Sequence, residues 1–145
     1  MTPYFEYRHI VGLDETNVVG NVYYAHFVRW QGRCRELFLR ERVPGLIADL
    51  GNSLKIFTLT CSCEYLAEVF AFNEIAVRMR LAELTQTQVA FTFDYVRLSG
   101  AAEELVARGQ QRVLCMEQAE DGQMRPARVP LPFREALTPF LAQAS

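Results

Sequence analysis

The chain has 145 residues and a formal net charge of -2, with 50% hydrophobic and 22% charged residues. This length predicts one domain, spanning residues 1–145, with one core, and the composition disfavours intrinsic disorder. The slightly negative charge disfavours nucleic-acid binding through bulk positive charge. Apolar runs are too short for a membrane span and the first residues do not resemble a signal peptide, so we expect a soluble, cytoplasmic protein without membrane contact.

Four cysteines and two histidines restrict the metal and redox chemistry that the sequence predicts. The cysteines, at positions 34, 61, 63 and 115, form no CxxC pair, which disfavours a zinc site. Cys61 and Cys63 share one face of a predicted strand at a spacing that is awkward for a disulfide. We therefore expect four small core residues in a reducing compartment, and no zinc site.

The first predicted element is a strand over residues 4–11. Its apolar side carries Phe5, Tyr7, His9 and Val11, and its polar side carries charged residues. Because His9 lies on the apolar side, we expect a packed core histidine rather than a catalytic one.

A polar turn leads into a helix that is predicted from about Val22 to Arg42. Its apolar positions recur at spacings of three and four, and Pro44 and Gly45 are expected to end it. Gly32 lies inside this helix, where glycine costs about 1 kcal/mol relative to alanine. We therefore expect Gly32 to permit close approach of another backbone.

Alternating apolar and polar residues predict four further strands, at 54–70, 74–84, 88–98 and 105–118, with a bulge at Gly109. Short connections predict that these strands are antiparallel neighbours. A short helix is predicted over 132–142. One long helix against a five-stranded antiparallel sheet is an α+β fold, and its uncovered face and edges favour an oligomer.

The most specific stretch of sequence runs from Thr16 to Trp30 and continues to Arg35. A loop here leads into a helix N-terminus, whose first backbone N–H groups are unpaired and carry partial positive charge. Such a place suits a carbonyl oxygen that becomes anionic in a transition state. Gly20 is expected to let a substrate or a neighbouring backbone approach closely.

This stretch resembles the hot-dog-fold acyl thioesterases of the 4-hydroxybenzoyl-CoA thioesterase type. Their motif, roughly Asp-x-x-Gly-x-Val-x-x-x-x-Tyr before a helix, corresponds here to Asn17, Gly20, Val22 and Phe27, and CEY at 63–65 resembles a second family block. The resemblance spans nearly the whole chain. It implies a hot-dog fold with a long helix wrapped by a five-stranded sheet, dimers that share one continuous sheet, and pockets at subunit interfaces.

The N-terminal third of the chain resembles, more closely still, the small thioesterases found beside enediyne polyketide synthases. In that subgroup the enzyme releases a polyene or β-ketoacyl chain from an acyl carrier protein domain of the iterative synthase. The resemblance implies the same substrate class and carrier-protein partner here, without a metal or organic cofactor. It leaves open the length of the acyl chain, a following decarboxylation, and the choice between dimer and tetramer.

Asn17 stands where the wider family has its acidic base or nucleophile. An amide cannot take a proton from water at neutral pH, but it can orient water or donate to a thioester carbonyl. The enediyne subgroup is similar in having asparagine there and a helix arginine that corresponds to Arg35. The resemblance thus implies that Asn17, Arg35 and the backbone N–H near Tyr24 stabilise an oxyanion. Alternatively, Asn17 caps the turn and Arg35 is a surface residue.

Further candidates for substrate binding are Gly20 and Phe27 of the motif, together with Thr60 and Glu64. Thr58, Thr60 and Glu64 are predicted to share one strand face. If that face lines the pocket, Thr60 would bind substrate and Glu64 would replace the missing base; the alternative is ordinary sheet surface. His26 is expected to be solvated or at a subunit interface, and Cys34 belongs to the apolar helix face.

Residues 29–42 contain five arginines against two glutamates, a local charge of +3. Such a surface would attract an acidic carrier protein. The alternative is a solvated helix face with ion pairs, such as Arg33 with Glu36 and Glu36 with Arg40.

The sequence leaves other functions open. One is a non-catalytic subunit that binds an acyl chain or a carrier protein, and another is an acyl-CoA thioesterase of primary metabolism. A hot-dog dehydratase or hydratase would need a histidine with an acidic partner, and His9 and His26 do not lie in such a motif.

Overall fold

The computed structural model describes residues 3–141. In chain order, the elements are β1 (Phe5–Ile10), α1 (Ala25–Arg42), α2 (Pro44–Asp49), β2 (Leu54–Tyr65), β3 (Glu74–Leu84), β4 (Gln88–Ser99), β5 (Ala102–Gln118), β6 (Met124–Pro126) and α3 (Leu131–Leu137). Single 3-10 turns lie at Leu13–Glu15 and Thr138–Phe140. Within residues 3–141, no helix is long and apolar enough to cross a membrane.

The strands form one antiparallel sheet in the order β1-β3-β4-β5-β2, with the short β6 beside β5. This confirms the α+β class and the five predicted strands, although β2 ends at Tyr65 rather than at residue 70, and it adds a sixth short strand. Neighbouring strands were expected throughout residues 54–118. That is correct for β3, β4 and β5 but wrong for β2, which lies at the sheet edge against β5. Hairpin loops usually have about two to five residues. The connection 66–73 is longer, so it can span β5 and β4 and reach β3.

The core lies between α1 and the inner face of the sheet. The buried residues of the helix recur at the predicted spacings: Phe27, Trp30, Gln31, Cys34, Phe38 and Leu39. They pack on strand residues such as Val77, Phe93 and Tyr95, and the Tyr95 hydroxyl donates to the Phe27 carbonyl at 2.6 Å. Burial of each large apolar side chain contributes about 1.5–3 kcal/mol, so this contact holds the helix in place.

The helix begins at Ala25, three residues later than predicted. Asn21 bridges Phe70, and the Val22 N–H donates to the Val69 carbonyl at 2.7 Å, so this segment is extended rather than helical. Pro44 does not merely end α1: it begins α2, in which proline takes a first-turn position that needs no N–H donor.

Two glycines have roles other than those predicted. Gly109 is not a bulge, because it pairs in register with Cys63 and Phe93. A side chain there would overlap the amide of Gln31, which is fully buried and donates to the Ser62 carbonyl at 2.9 Å. A methyl group added at Gly32 would have no described atom within 4 Å, so the expected close approach of another backbone is not found.

All four cysteines are free thiols. Cys34 and Cys115 are buried core residues as expected, Cys63 is half-buried and Cys61 is exposed. The expectation of a core position is therefore wrong for Cys61, because β2 forms an edge of the sheet.

Gly109 and Gly32 lead to opposite predictions for the effect of alanine on stability. We expect Gly109→Ala to lower the free energy of unfolding by about 1–3 kcal/mol, because the new methyl group displaces a buried, hydrogen-bonded amide. The control Gly32→Ala adds a methyl group in open space and should raise it by up to about 1 kcal/mol. Urea denaturation measures both; equal effects would contradict the assignment of Gly109 as a packing position.

Candidate active site

A hairpin-like loop of residues 12–23 leads into the N-terminus of α1. Its two arms pair through a bridge between Thr16 and Val22. At its base the Tyr23 N–H donates to the Glu15 carbonyl at 3.0 Å. The loop is also joined to the segment after β2, through Val22 and Val69. These bonds hold the base of the loop beside the first turn of the helix.

Asn17 lies in the tip of this loop. Its N–H donates to the Asn21 carbonyl and its carbonyl accepts from the Gly20 N–H, both at 2.9 Å. Gly20 closes the tip with a φ of 97°, a conformation that glycine adopts without strain. Gly20 is thus required for the shape of the turn. The space beside it is open, because a methyl group added there would have no described atom within 4 Å.

The side chain of Asn17 caps the turn: its Oδ1 accepts from the Val19 N–H at 3.0 Å. This confirms the alternative interpretation as far as the oxygen is concerned. The Nδ2 group has no hydrogen-bond partner among residues 3–141. One side chain can therefore cap the loop with its oxygen and offer its N–H groups to a substrate.

Tyr24 occupies the N-cap of α1 and is 61% exposed. Within the described part of the chain its N–H makes no hydrogen bond, as expected at a helix N-terminus. Its carbonyl accepts from the Tyr65 hydroxyl at 2.8 Å. Burial raises the pKa of Tyr65 to about 12, so this hydroxyl remains a neutral donor. The contact holds the end of β2 against the helix N-terminus.

A cavity of about 310 Å³ opens beside Tyr24, between the helix N-terminus and the end of β2. Phe27 lines it and packs edge-on against Tyr65, with ring centroids 5.0 Å apart. Val22, Leu66 and Val69 complete a mostly apolar wall. Such a wall suits an acyl chain better than a charged group.

Arg35 lies in a second polar cluster, just past the middle of α1. It is half-buried, and its Nη1 donates to Gln111 Oε1 at 2.6 Å and lies 3.4 Å from Thr58 Oγ1. Burial lowers the pKa of Arg35, and among residues 3–141 no carboxylate pairs with it. A half-buried cation with no carboxylate in direct contact is costly, so this cluster can hold an anionic group.

The two clusters do not meet within one chain. Tyr24 and Arg35 are 11 residues apart along α1, which corresponds to about 16 Å of helix rise. We call Asn17, Gly20, Tyr24 and Phe27 the N-terminal half-site. We call Arg35, Thr58 and Gln111 the arginine half-site.

Thr60 and Glu64 do not share a face with Thr58, contrary to expectation. The register of β2 against β5 shifts between Thr58 and Thr60, so the side chains reverse at this bulge. Thr58 pairs with the buried Val113, whereas Thr60 and Glu64 pair with arginines on the outer face. Glu64 there lines a separate cavity of about 480 Å³. In one chain neither residue joins a half-site.

His9 has an acidic partner that the sequence did not reveal. Its Nε2 lies 2.6 Å from Glu15 Oε1, its Nδ1 lies 2.7 Å from the Tyr7 hydroxyl, and its ring packs on Trp30 at 4.8 Å. The expectation of a packed histidine is confirmed. Because both ring nitrogens are engaged, His9 is poorly placed to act as the base of a dehydratase.

The remaining candidates are accounted for by packing. Burial raises the pKa of the Cys34 thiol, which contacts the Val77 carbonyl in the core. His26 is half-buried, with its ring near Tyr23. In the part of the chain that the structure describes, no three His, Cys, Asp or Glu side chains are close enough to hold a metal ion.

The arginines of α1 have diverse surroundings. Arg33 pairs with Glu36 at 3.0 Å, as the solvated-face alternative predicts. The guanidinium of Arg42 lies over the ring of Phe140, 5.5 Å from its centroid. Arg29 and Arg40 are exposed. Only part of the local positive charge is therefore available to a partner.

In a comparison with protein families, the model of the thioesterase-like superfamily matches residues 11–141. Among solved structures, the chain is similar to the dynemicin thioesterase, a protein in which polyene binding has induced-fit and allosteric effects. The identity is 43%, the match covers 97% of this chain and 99% of that one, and the TM-score is 0.92. A search of curated proteins gives no match.

Two more distant structures share the fold. A thioesterase-superfamily protein from Jannaschia sp. CCS1 is 25% identical, with 99% of this chain and 89% of that chain covered and a TM-score of 0.81. A 4-hydroxybenzoyl-CoA thioesterase bound to 4-hydroxybenzoyl-CoA is 13% identical, with 93% and 99% covered and a TM-score of 0.80. The hot-dog fold expected from the sequence is thereby confirmed.

The capping bond of Asn17 generates a prediction about stability. We expect Asn17→Ala to lower the free energy of unfolding by about 0.5–1.5 kcal/mol, because the Val19 N–H loses its acceptor. Asn17→Asp keeps an oxygen at that position and should stay within about 0.5 kcal/mol of the original chain. Urea denaturation compares the two. Equal losses would show that the cap contributes nothing.

Proposed function

Since the chain belongs to the thioesterase-like superfamily, we propose that the thioester it hydrolyses is a polyene or β-ketoacyl chain on the acyl carrier protein domain of an iterative, enediyne-type polyketide synthase. The 43% identity to the dynemicin thioesterase along nearly the whole chain supports this substrate class. The apolar cavity beside Tyr24 supports it further, because its walls suit an acyl chain. No cofactor enters the proposal.

The proposed mechanism rests on a set of hydrogen-bond donors that includes no acidic side chain. The N-terminal half-site offers the N–H of Tyr24 and the amide of Asn17, and the arginine half-site offers a cation without a carboxylate partner among residues 3–141. These groups suit the oxygen of a thioester carbonyl as it becomes negative. Removal of one such donor typically costs about 3 kcal/mol of transition-state stabilisation.

In the proposed reaction, the Tyr24 N–H and Arg35 bind the carbonyl oxygen while Asn17 orients the acyl group and the attacking water. The water oxygen bonds to the carbonyl carbon and gives its proton to solvent. The carbon–sulfur bond then breaks, and the thiolate of the carrier's phosphopantetheine leaves and is protonated. Asn17 takes no proton, so the rate depends on oxyanion stabilisation and on an already activated ester.

The half-sites are proposed to meet across two copies of the chain. No strand within residues 3–141 pairs with the outer edge of β2, whose side chains Phe57, Leu59 and Tyr65 are 43%, 45% and 44% accessible. Exposed strand edges readily pair with another strand. A two-fold antiparallel pairing centred near Ser62 places Thr58 of one copy opposite Tyr65 of the other. Arg35 of the second copy then approaches Tyr24 and Asn17 of the first.

The carrier protein is proposed to approach along the exposed side of α1. Arg29 and Arg40 are exposed there, and acidic carrier proteins are attracted to positive surfaces. This attraction should act mainly on the association rate and weaken with added salt.

We expect thiol release to be fastest with long β-ketoacyl carrier-protein thioesters, in a panel that also contains CoA and pantetheine thioesters. Asn17→Ala and Arg35→Ala should each lower kcat/KM by about 100-fold or more, because each removes a donor to the oxyanion. The control Arg125→Ala removes an exposed arginine that pairs with Asp121, and it should have no effect.

Other results of this panel would replace the proposal. Carrier binding without release from any thioester would indicate a non-catalytic binding subunit. A preference for CoA thioesters would indicate an acyl-CoA thioesterase. Full activity of both variants would contradict the site.

A mixing experiment tests the composite site. Asn17→Ala and Arg35→Ala are each expected to be inactive alone, but a refolded equal mixture should recover about a quarter of the original activity. Half of the dimers are then mixed, and each of these has one site with both residues intact. If both residues act within one chain, the mixture will stay inactive; size-exclusion chromatography confirms that mixed dimers form.

A further inference from the structure

Glu15 lies at the base of the loop that carries Asn17, outside both half-sites. It is 8% exposed and is the only buried carboxylate among residues 3–141. Its Oε1 accepts from the Gly12 N–H at 2.9 Å and lies 2.6 Å from His9 Nε2. Its Oε2 accepts from Trp30 Nε1 at 2.9 Å. One carboxylate thus joins the loop, the end of β1 and the core face of α1.

The backbone of Glu15 holds the same loop at its two ends. Its N–H donates to the Gly12 carbonyl at 3.1 Å, where the chain enters the loop. Its carbonyl accepts from the Tyr23 N–H at 3.0 Å, where the chain leaves the loop for the helix. Asn17 follows two residues after Glu15, and Tyr24 follows one residue after Tyr23.

We propose that Glu15 is a positioning residue for thioester hydrolysis, whose carboxylate holds the loop so that Asn17 and the Tyr24 N–H face the same carbonyl. This inference rests on the proposed function for its effect on rate. The loop needs such an anchor, because displacement of a reacting group by about 1 Å can cost about 100-fold in rate. The polar tip of the loop itself has little apolar contact to hold it: Val18 and Val19 are fully or largely exposed.

Three hydrogen-bond donors surround the side chain of Glu15, so this position requires a carboxylate rather than an amide. The Gly12 N–H and His9 meet one oxygen, and the Trp30 N–H meets the other. A glutamine has one oxygen and one NH₂ group. Whichever way its amide is turned, a donor then faces a donor, either at Trp30 or at Gly12.

The first test is the kinetics of Glu15→Gln under conditions in which its unfolding curve shows a folded protein. We expect kcat for thiol release to fall at least tenfold, while KM changes less than threefold, since the apolar cavity is untouched. The matched control Glu103→Gln makes the same chemical change at an exposed carboxylate that pairs with Arg78, away from both half-sites, and should alter neither constant.

The second test is rescue by removal of the opposing donor. Trp30→Phe has no indole N–H, so the glutamine of the double variant can turn its NH₂ group toward the ring and its oxygen toward Gly12. We expect kcat of the double variant to return to within about threefold of Trp30→Phe alone. Additive losses would overturn the proposal, because they would show that Glu15 and Trp30 act independently.

The third test measures the local stability of the loop without any substrate. In Glu15→Gln, amide hydrogen exchange at Val22 and Tyr23 should be at least tenfold faster, while amides in β4 keep their rates. Unchanged exchange in the loop would overturn the proposal, and so would equal acceleration everywhere, which indicates general destabilisation. If the original chain cleaves no thioester, the proposed function fails, and this measurement alone still decides the anchor. If Glu15→Gln does not fold, Trp30→Phe removes one of the three bonds and is measured in its place.

Discussion

The burial of one face of α1 against the inner face of the sheet is the contact on which the rest of this structure depends. Phe27, Trp30, Cys34 and Phe38 lie along that face and are almost completely removed from solvent. The Tyr95 hydroxyl adds a bond to the Phe27 carbonyl from the centre of the sheet. The helix can therefore neither slide nor rotate without loss of core packing. Two places on the helix are therefore fixed, its N-terminus and the position of Arg35 just past its middle, and both carry polar groups of functional interest.

At the first of these points, a polar loop must be held against an apolar core. Four polar side chains there satisfy one another: Tyr7, His9, Glu15 and Trp30 form a continuous hydrogen-bonded chain. Such networks specify a geometry more sharply than apolar contacts do, because each member has few alternative partners. Asn17 and Gly20 then shape the tip, and the first N–H groups of the helix remain available.

At the second point, Arg35 makes its bonds to neutral groups, Gln111 and Thr58. A carboxylate partner would stabilise the arginine but would also neutralise it. Neutral partners orient the guanidinium and leave its charge for a ligand. Together with Asn17 in place of an acid, this arrangement favours chemistry in which charge is stabilised rather than protons abstracted. Roughly 16 Å of helix separates the two points within one chain.

The sequence by itself determined the main elements and the family, but not the short α2 and β6. Apolar spacing located α1 to within three residues and located β3 and β4 almost exactly at their observed bounds, because these segments are buried on a regular period. The motif around Asn17 and Gly20 indicated the hot-dog thioesterases before any contact was known. Hydrophobic period and local turn chemistry act over a few residues, so they can be read from the chain alone.

Only the tertiary structure decided which residues meet. The pairing of β2 with β5 depends on contacts between distant segments, and so does the bulge that turns Thr60 and Glu64 away from Thr58. His9 and Glu15 are six residues apart, yet they meet only because β1 and the following turn fold back onto Trp30. Position 109 must be glycine because the side chain of Gln31, which lies 78 positions earlier in the chain, fills the space beside it. These features arise from side-chain packing across elements, which leaves no periodic signal in the sequence.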